Sequence, residues 1–454
     1  MGITSVNPAT GKTIKTYDEM TPETAAAAVA QAHETWQTWR TTSFATRATH
    51  MKKAAGILRE RKQELAGLMA LEMGKPLKQG VAEAEKCAWV CDYYADNAKA
   101  HLGLDVIKTD ASKSYVAFEP LGVVLAIMPW NFPFWQVYRF AAPAVMAGNT
   151  GVLKHASNVP GCALAIEEIF VQAGFPDGVF RTLLIGNKQV KAVIEDPLVR
   201  AVTLTGSTPA GKAVAAQAGA VLKKTVLELG GSDPYVVLED ADLDLAVETC
   251  VSSRLINSGQ SCIAAKRFVV VEPVLAAFTT RFVARMKAKK TGDPLVEGTD
   301  VGPQARHDLR DGLHKQVLAS VDQGATLLLG GEVPPGDGAY YPPTVLADVK
   351  PGMPAYDEEL FGPVAAIIKA KDEADAVRIA NDTIFGLGAA VFTKDIARGE
   401  RVARSLEAGA TFVNSAVASD PRLPFGGIKE SGYGRELGGY GIREFVNVKT
   451  VVVK

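Results

Sequence analysis

Apolar side chains recur with helical spacing through the first 105 residues. Thr21 and Pro22 predict the start of a first helix, because Thr caps helices well and Pro fits their first turn. A second helix is expected to end at Gly74 and to bury one apolar face, formed by Met51, Ala55, Leu58, Leu65 and Met69. A third helix is predicted from Val81 to Leu102.

From residue 121 onward, short apolar runs alternate with helical stretches. The first runs are VVLAI (123–127), TGVLK (150–154), FRTLLIG (180–186), AVTLTG (201–206) and TVLEL (225–229). This alternation predicts a parallel sheet with crossover helices. A second series begins at PYVVLED (234–240) and continues to about residue 428, which predicts another α/β domain.

Two strand-like segments belong to neither series. SKSYVAFEP (112–120) and FVNVKTVVVK (445–454) both alternate apolar and polar residues. Such strands favour pairing with an edge of another subunit, and the alternative is an edge strand within the same subunit.

The composition narrows the function class. The 454 residues are 47% apolar and carry 49 basic against 50 acidic side chains, so no electrostatic case exists for nucleic acid or an anionic membrane. The apolar runs are too short for a transmembrane helix. The five cysteines are odd in number and form no CxxC pair, so neither a disulfide framework nor a metal site is expected. We therefore expect a cytoplasmic protein with small-molecule ligands.

Three residues have the chemistry of a catalytic site. Cys262 follows SGQS in a loop, where a thiolate can act as a nucleophile. Glu228 ends a predicted parallel strand, and Asn131 lies in the rigid turn MPWNFPFWQ, where an amide can stabilise an oxyanion. Taken singly, each has a structural alternative: a packed cysteine, a surface glutamate and an ordinary turn residue.

Six motifs taken together resemble the aldehyde dehydrogenase superfamily. They occur in family order and are MPWNFP, LTGSTPAGK, LELGGSDP, GQSC, EELFGPV and PFGGIKESGYGREL. The resemblance implies an α/β fold with a Rossmann-like cofactor domain (1–103 and 121–230) and an α/β catalytic domain (231–430). It also implies a small β oligomerisation flap (104–120 and 431–454) that makes a homodimer or homotetramer.

The resemblance assigns catalytic roles. Cys262 is similar to the nucleophile that forms a thiohemiacetal and then a thioester. Asn131 and the Cys262 backbone N–H resemble the oxyanion site, and Glu228 resembles the general base that activates water. Glu436, in GREL, matches a residue thought to relay protons.

The resemblance also implies a dinucleotide site. Gly206 and Ser207 stand at a strand-to-helix turn suited to a pyrophosphate, and Trp130 is expected beside the cofactor. Further cofactor contacts are expected at Lys154, Ser157, Glu359 and Phe361.

Ser157 points to a preference for NADP, with NAD used less efficiently. Many relatives have a glutamate here that binds the ribose 2′-hydroxyl, whereas this chain reads KHAS. A carboxylate would repel a 2′-phosphate, and a serine hydroxyl can donate to it beside Lys154.

The predicted substrate is an aldehyde with a distal carboxylate. Arg139 resembles an arginine that binds that carboxylate in succinate semialdehyde dehydrogenases, and Ser419 matches a serine of the same site. Trp135 is expected to line the substrate channel. Some relatives have a second arginine where this chain has Ile256, which predicts looser carboxylate binding.

Several alternatives stay open. In the simpler interpretation, Arg139 is a surface helix residue that is paired with a carboxylate. The substrate is then another small aliphatic or aromatic aldehyde. A CoA-acylating enzyme shares the fold but typically lacks the general base, and a non-catalytic scaffold would not need Cys262, Glu228 and Asn131 together.

Overall fold

The computed structural model describes residues 2–454. The N-terminal region contains β1 (Gly2–Val6), β2 (Thr13–Asp18), α1 (Pro22–Trp39), α2 (Phe44–Glu60), α3 (Lys62–Met73), α4 (Leu77–His101), β3 (Asp105–Val106) and β4 (Lys113–Pro120). The Thr21 side chain accepts a hydrogen bond from the Thr24 N–H at 3.2 Å, which confirms the predicted cap of α1.

The predicted second helix is in fact two helices. The chain leaves helical geometry at Arg61, between α2 and α3, where neither Gly nor Pro marks a break. The expected apolar face nevertheless runs through both helices and is fully buried, and the second one ends at Gly74 in the left-handed conformation. The hairpin of β1 and β2 went unpredicted, although Gly11 forms its tight turn with φ of 69°.

The first α/β unit carries the cofactor sheet. It contains β5 (Val123–Met128), α5 (Trp135–Met146), β6 (Thr150–His155), α6 (Pro160–Gln172), β7 (Phe180–Thr182), α7 (Asn187–Glu195), β8 (Val199–Thr205), α8 (Thr208–Ala220) and β9 (Lys224–Glu228). These strands are parallel in the order β9, β8, β5, β6, β7. Their carboxyl ends therefore lie along one edge, where open α/β sheets place ligand sites.

The second α/β unit carries the larger sheet. It contains β10 (Pro234–Val237), α9 (Leu243–Leu255), β11 (Arg267–Val271), α10 (Glu272–Lys287), α11 (His307–Asp322), β12 (Thr326–Leu329), β13 (Thr344–Ala347), α12 (Pro354–Asp357), β14 (Val364–Ala370), α13 (Glu373–Asn381), β15 (Gly388–Phe392), α14 (Ile396–Ser405) and β16 (Ala410–Val413). The strand order is β12, β13, β14, β11, β10, β15, β16, and only β12 is antiparallel to its neighbour. The predicted second series of strands is thus present.

The C-terminal segment joins two sheets. It contains β17 (Gly432–Tyr433), α15 (Gly438–Ile442) and β18 (Val446–Val453). The short β17 pairs antiparallel with β9 and so extends the cofactor sheet, although the predicted boundary placed it in the oligomerisation segment. The last strand, β18, pairs with β4 of the same chain and leaves its other edge free in a three-stranded sheet.

Within residues 2–454, no helix is long and apolar enough to span a membrane. Four of the five cysteines lie buried in helices: Cys87, Cys91, Cys162 and Cys250.

Candidate active site

Cys262 lies in a loop that begins with three consecutive residues of positive φ. Asn257, Ser258 and Gly259 have φ of 51°, 57° and 78°, a conformation that non-glycine residues adopt rarely and mostly at functional sites. Glycine is also required by space, because a Cβ at Gly259 would lie 2.2 Å from the carbonyl carbon of Gly362. The glycine in SGQSC thus permits a tight loop, and Cys262 is half-buried on the wall of a cavity.

A buried lysine holds this loop in place. The Lys266 ammonium is 1% exposed and donates to the carbonyls of Ser261 and Cys262 at 2.8 and 2.7 Å. Its Nζ also lies 3.5 Å from Glu359 Oε1. No sequence motif pointed to Lys266. Its only sign in the sequence is a charged residue in the mostly apolar segment that leads into β11.

Asn131 is fixed against the same loop. Its Nδ2 donates to the Gln260 main-chain carbonyl at 3.1 Å, and its main-chain carbonyl accepts a hydrogen bond from Asn257 Nδ2 at 2.6 Å. An amide nitrogen has two hydrogens, so one is left for a ligand in the cavity that Asn131 lines with Cys262. This placement suits the predicted oxyanion role.

The turn that carries Asn131 is anchored by α4. Glu83 Oε1 accepts the N–H groups of Phe134 and Trp135, each at 2.9 Å, at the start of α5, which has no side-chain cap of its own. Glu83 is itself ion-paired with the buried Lys75, whose ammonium lies 3.7 Å from the centre of the Phe132 ring. These contacts satisfy free N–H groups of the helix start and fix the segment that precedes it.

Glu228, Arg139 and Glu436 form a buried charged cluster. Arg139 Nε is ion-paired with Glu436, and all three side chains are at most 4% exposed. Burial raises the pKa of Glu228 well above its usual range, which Arg139 offsets in part and Glu436 reinforces. Neither Glu228 carboxyl oxygen has a hydrogen-bond partner within the described residues. This setting favours the neutral form of the Glu228 carboxyl more than water would.

Burial also raises the pKa of the Cys262 thiol to about 12, although Arg139 and Lys266 favour the thiolate. At this pKa the thiol keeps its proton at pH 7, so attack by the sulfur requires that proton to leave.

A cavity of about 250 Å³ brings most of the predicted cofactor residues together. Its wall includes Trp130, Asn131, Gly206, Ser207, Cys262, Glu359 and Phe361. Ser207 caps α8, so the N–H groups and the positive end of that helix face the cavity. Glu359 accepts the Gly231 N–H at 3.0 Å, and the rings of Trp130 and Phe361 meet edge to face. The donors, the carboxylate and the aromatic walls are groups that suit a nicotinamide dinucleotide.

Lys154 and Ser157 do not line this cavity. Lys154 is the penultimate residue of β6 and pairs with Ile127 of β5, the strand that leads to Trp130. Its Nζ donates to Asn187 Oδ1 at 2.8 Å. Ser157 is exposed and lines a separate cavity of about 440 Å³ with residues of the N-terminal hairpin and Arg306. The two residues share the ligand-binding edge of the sheet, and their predicted cofactor contacts stay predictions.

A second cavity, of about 470 Å³, borders the same 129–136 segment. Phe132, Trp135 and Ile256 give it apolar walls, and Lys86 of α4 reaches into it. The Lys86 ammonium donates to Ser419 Oγ at 2.8 Å and lies 4.4 Å from the centre of a Trp135 ring. Trp135 and Ser419 are both predicted to bind substrate, and both contact Lys86. No sequence motif pointed to this lysine.

Arg139 is buried beside Glu436. Its side chain is 2% exposed, is not part of the wall of the second cavity, and has a carboxylate partner in Glu436. Its guanidinium also lies 4.6 Å from the centre of the Phe425 ring. The predicted contact of Arg139 with the substrate carboxylate stays a prediction. The alternative, a carboxylate-paired helix residue, matches the Glu436 pair, although the residue is buried and not at the surface.

Comparison with known proteins agrees with this geometry. Residues 1–451 match the model of the aldehyde dehydrogenase family. The chain belongs to this family. It is 52% identical to a probable NADP-dependent succinate-semialdehyde dehydrogenase of Synechocystis, over 99% of both chains. It is 51% identical to the succinate-semialdehyde dehydrogenase of Mycolicibacterium paratuberculosis, over 99% of this chain and 96% of the relative.

Solved structures extend the likeness to the fold. A succinic semialdehyde dehydrogenase of Streptococcus pyogenes in complex with NADP+ superposes with a TM-score of 0.97, at 38% identity and over 99% of both chains. The aldehyde dehydrogenase fold expected from the six motifs is therefore confirmed. Within residues 2–454, no cluster of three potential metal ligands is present.

Proposed function

We propose that this aldehyde dehydrogenase oxidises succinic semialdehyde to succinate and transfers the hydride to NADP. The observation that carries the proposal is the meeting of Cys262, Asn131 and Glu359 on one cavity wall, beside a second cavity that borders the same segment. A nucleophile, an oxyanion donor and a cofactor ligand are the groups that the reaction needs within reach of one another.

The chain's own residues account for the steps of the reaction. Cys262 Sγ releases its proton to solvent and attacks the aldehyde carbon, and the resulting oxyanion accepts hydrogen bonds from Asn131 Nδ2 and the Cys262 N–H. A nicotinamide dinucleotide held by the cavity residues Trp130, Ser207 and Glu359 would accept the hydride that leaves this carbon. The product of this step is a thioester on Cys262.

Hydrolysis then releases the acid. Glu228 takes a proton from water, the hydroxide adds to the thioester carbon, and the carbon–sulfur bond breaks to give the carboxylic acid and Cys262. The buried setting that raises the Glu228 pKa strengthens it as a base once it is deprotonated. The positive charge of Arg139 lowers the pKa of Glu228, and the negative charge of Glu436 raises it.

The succinic semialdehyde assignment rests on two kinds of support. Relatives at 51–52% identity are named as enzymes for this aldehyde. The second cavity has apolar walls and two lysines, Lys86 and Lys289, which suit a four-carbon aldehyde with a carboxylate.

Steady-state rates on charged and neutral aldehydes, each with NADP and NAD, test both parts of the proposal. We expect succinic semialdehyde to exceed butanal in kcat/KM, and free succinate to form without CoA. A wild-type enzyme that is faster on butanal would refute the substrate assignment. A product that forms only with CoA would favour the acylating alternative.

The preference for NADP is proposed from Ser157 and from the NADP-dependent relatives. Ser157→Glu places a carboxylate where a 2′-phosphate would lie and should shift the preference toward NAD. Ser157→Ala is the control, because it removes the hydroxyl without adding charge. An unchanged NADP-to-NAD ratio in the glutamate variant would argue against this role.

We also propose that the sheet of β18, β4 and β3 mediates assembly of a homodimer or homotetramer in the cytoplasm. Its strands leave Val106 and Val448 71% and 62% exposed, next to the free edge of β18. The division into cofactor, catalytic and oligomerisation domains is proposed with the same boundaries, except that β17 joins the cofactor sheet. Light scattering of the wild-type and Val448→Lys proteins would test the interface, and equal masses would argue against it.

A further inference from the structure

We propose that Lys266 is a positioning residue that joins the cysteine loop to Glu359, so that the nucleophile and the cofactor ligand are placed relative to one another. This role rests on the proposed function, since it takes Cys262 as the nucleophile and Glu359 as a ligand of the dinucleotide. Lys266 itself is 1% exposed and is not part of the cavity wall. It therefore acts through these two residues and not by contact with substrate.

The first support is the number of main-chain carbonyls that meet the Lys266 ammonium. Its Nζ donates to the carbonyls of Ser261, Cys262 and Ala264 at 2.8, 2.7 and 3.2 Å. An ammonium has three N–H donors, so these carbonyls use all of them. Each bond involves a charged donor and is stronger than a bond between neutral groups. The backbone on both sides of Cys262 is therefore held by one buried charge.

The second support is the contact between this ammonium and Glu359. The Lys266 Nζ lies 3.5 Å from Glu359 Oε1, and this oxygen also accepts the Gly231 N–H at 3.0 Å. Within residues 2–454, no other basic side chain lies within 4.0 Å of the Glu359 carboxylate. Glu359 and Cys262 both lie in the cavity wall. One buried ammonium thus contacts the backbone of the nucleophile and the carboxylate of the cofactor ligand.

Two glycines allow the loop and the carboxylate to come this close. A Cβ at Gly231 would lie 2.7 Å from the Cys262 carbonyl oxygen, and a Cβ at Gly230 would lie 2.6 Å from Glu359 Oε2. Both distances are too short for a side chain, so the close approach requires glycine. The backbone of Gly230 and Gly231 therefore lies against both groups that Lys266 joins.

The ammonium lies among several other charged groups. Burial lowers the pKa of Lys266. The negative charges of Glu359 and Asp233 and the nearby Cys262 thiol oppose this shift, whereas the guanidinium of Arg254 adds to it. Two carboxylates against one guanidinium favour the charged form of the lysine.

Removal of the ammonium should shift two acids in the same direction. Burial raises the pKa of Glu359, and the charge of Lys266 is the largest effect that opposes the rise. Burial also raises the pKa of the Cys262 thiol, which Arg139 and Lys266 both lower. Without the ammonium, Glu359 would be ionised less of the time and the thiolate would be rarer at any given pH.

A purely structural role is the competing explanation. Arg267, the next residue, fits such a role, because its buried guanidinium donates to the carbonyls of Ser232, Ile379 and Ala380 outside the cysteine loop. A structural role predicts a loss of stability alone. A positioning role predicts changes in cofactor affinity and in thiol reactivity.

Lys266→Met tests the assignment, because methionine keeps an apolar stem and removes the charge. The dissociation constant of NADP, measured by titration of the protein fluorescence, should rise about 10- to 100-fold, the range for a lost hydrogen bond to a charged group. Alkylation of Cys262 by iodoacetamide without cofactor should slow about three- to tenfold at each pH, as a thiol pKa raised by about half to one unit requires. The other four cysteines are buried, so alkylation reports on Cys262. Lys266→Arg keeps the charge and should recover part of both losses.

A double-mutant cycle shows whether Lys266 acts through Glu359. Glu359→Gln should weaken NADP binding by a similar factor, and adding Lys266→Met should then weaken it by less than about threefold more. The alkylation rate should still fall when Lys266→Met is added, because the three carbonyl contacts do not involve Glu359. Two effects on NADP binding that multiply in the double variant would overturn the proposal.

Lys223→Met is the matched control. The Lys223 ammonium also donates to main-chain carbonyls, those of Ile194 and Asp196, just before the start of β9, whereas Glu228 ends this strand. This variant should bind NADP and react with iodoacetamide as the wild type does. If Lys266→Met also leaves both readouts unchanged, whatever its thermal stability, the role is structural and the proposal is overturned.

A second measurement applies if Lys266→Met does not fold. Glu359→Gln removes the negative charge beside the ammonium, and alkylation of Cys262 should then become faster at each pH. An unchanged rate in this variant would show that the two groups are not coupled and would overturn the proposal.

Failure of the proposed function would give a different result. A Cys262→Ser enzyme with normal turnover, or a Glu359→Gln enzyme that binds NADP as tightly as the wild type, overturns the proposed roles of those residues, and the Lys266 assignment falls with them. If both variants show the expected losses while Lys266→Met changes neither readout, the Lys266 assignment alone is overturned.

Discussion

The two cavities beside the 129–136 segment differ in how their polar groups are held. In the cofactor cavity, Glu359 accepts a hydrogen bond from the Gly231 N–H, and Asn131 donates one to the Gln260 carbonyl. Lys266 donates to the Cys262 carbonyl and so holds the cysteine loop in place. On the other side, Lys86 has a single neutral partner in a larger and mostly apolar space. The difference suits a division between chemistry and substrate binding, because reacting groups need a fixed geometry whereas an apolar space can accept a substrate chain with few polar contacts.

The largest expected effect would test the chemical side. Glu228→Gln removes the base for thioester hydrolysis, so steady-state turnover should fall about 10²- to 10⁴-fold. Acylation does not need this base, and a rapid-mixing experiment should therefore still show a burst of about one reduced cofactor per active site.

Glu430→Gln is the matched control, since Glu430 is paired with Lys212 at the surface. Its turnover should equal that of the wild type. A Glu228→Gln enzyme with normal steady-state turnover would show that another group activates water.

A smaller loss is expected at the oxyanion donor. Asn131→Ala should lower kcat about 10²- to 10³-fold, by removal of one aligned donor. The fall should be equal for succinic semialdehyde and butanal, because Asn131 faces the reacting carbon and not the distal end of the substrate. A loss confined to one of the two aldehydes would contradict the separation of the two cavities.

The backbone conformation of the cysteine loop can be tested through the free energy of unfolding. Gly259→Ala should lower the free energy of unfolding by about 1–3 kcal/mol, because φ is positive and the new Cβ would meet Gly362. Gly219→Ala in α8 is the control, where no atom lies within 4 Å of the new Cβ. It should stabilise the protein by about 0.5–1 kcal/mol. Equal thermal unfolding of the two variants would show that the loop is not strained.

Local patterns predicted much of the fold because they depend on neighbouring residues. The cap at Thr21, the stop at Gly74 and the alternating strands of both sheets follow from spacing alone. The break at Arg61 had no such signal, since the apolar face continues across it and the side chain bonds to Glu64 and to the distant Glu168.

The sequence by itself determined the family, the order of the elements and the chemical identity of the candidate nucleophile, base and oxyanion donor. These depend on ordered motifs and on residue type. Only the tertiary structure decided which charges are already neutralised. Arg139 and Lys86 are both basic residues on helices, and no local pattern distinguishes them. Arg139 meets Glu436, nearly 300 positions along the chain, whereas Lys86 meets only a hydroxyl, and such long-range pairing exists only once the chain has folded.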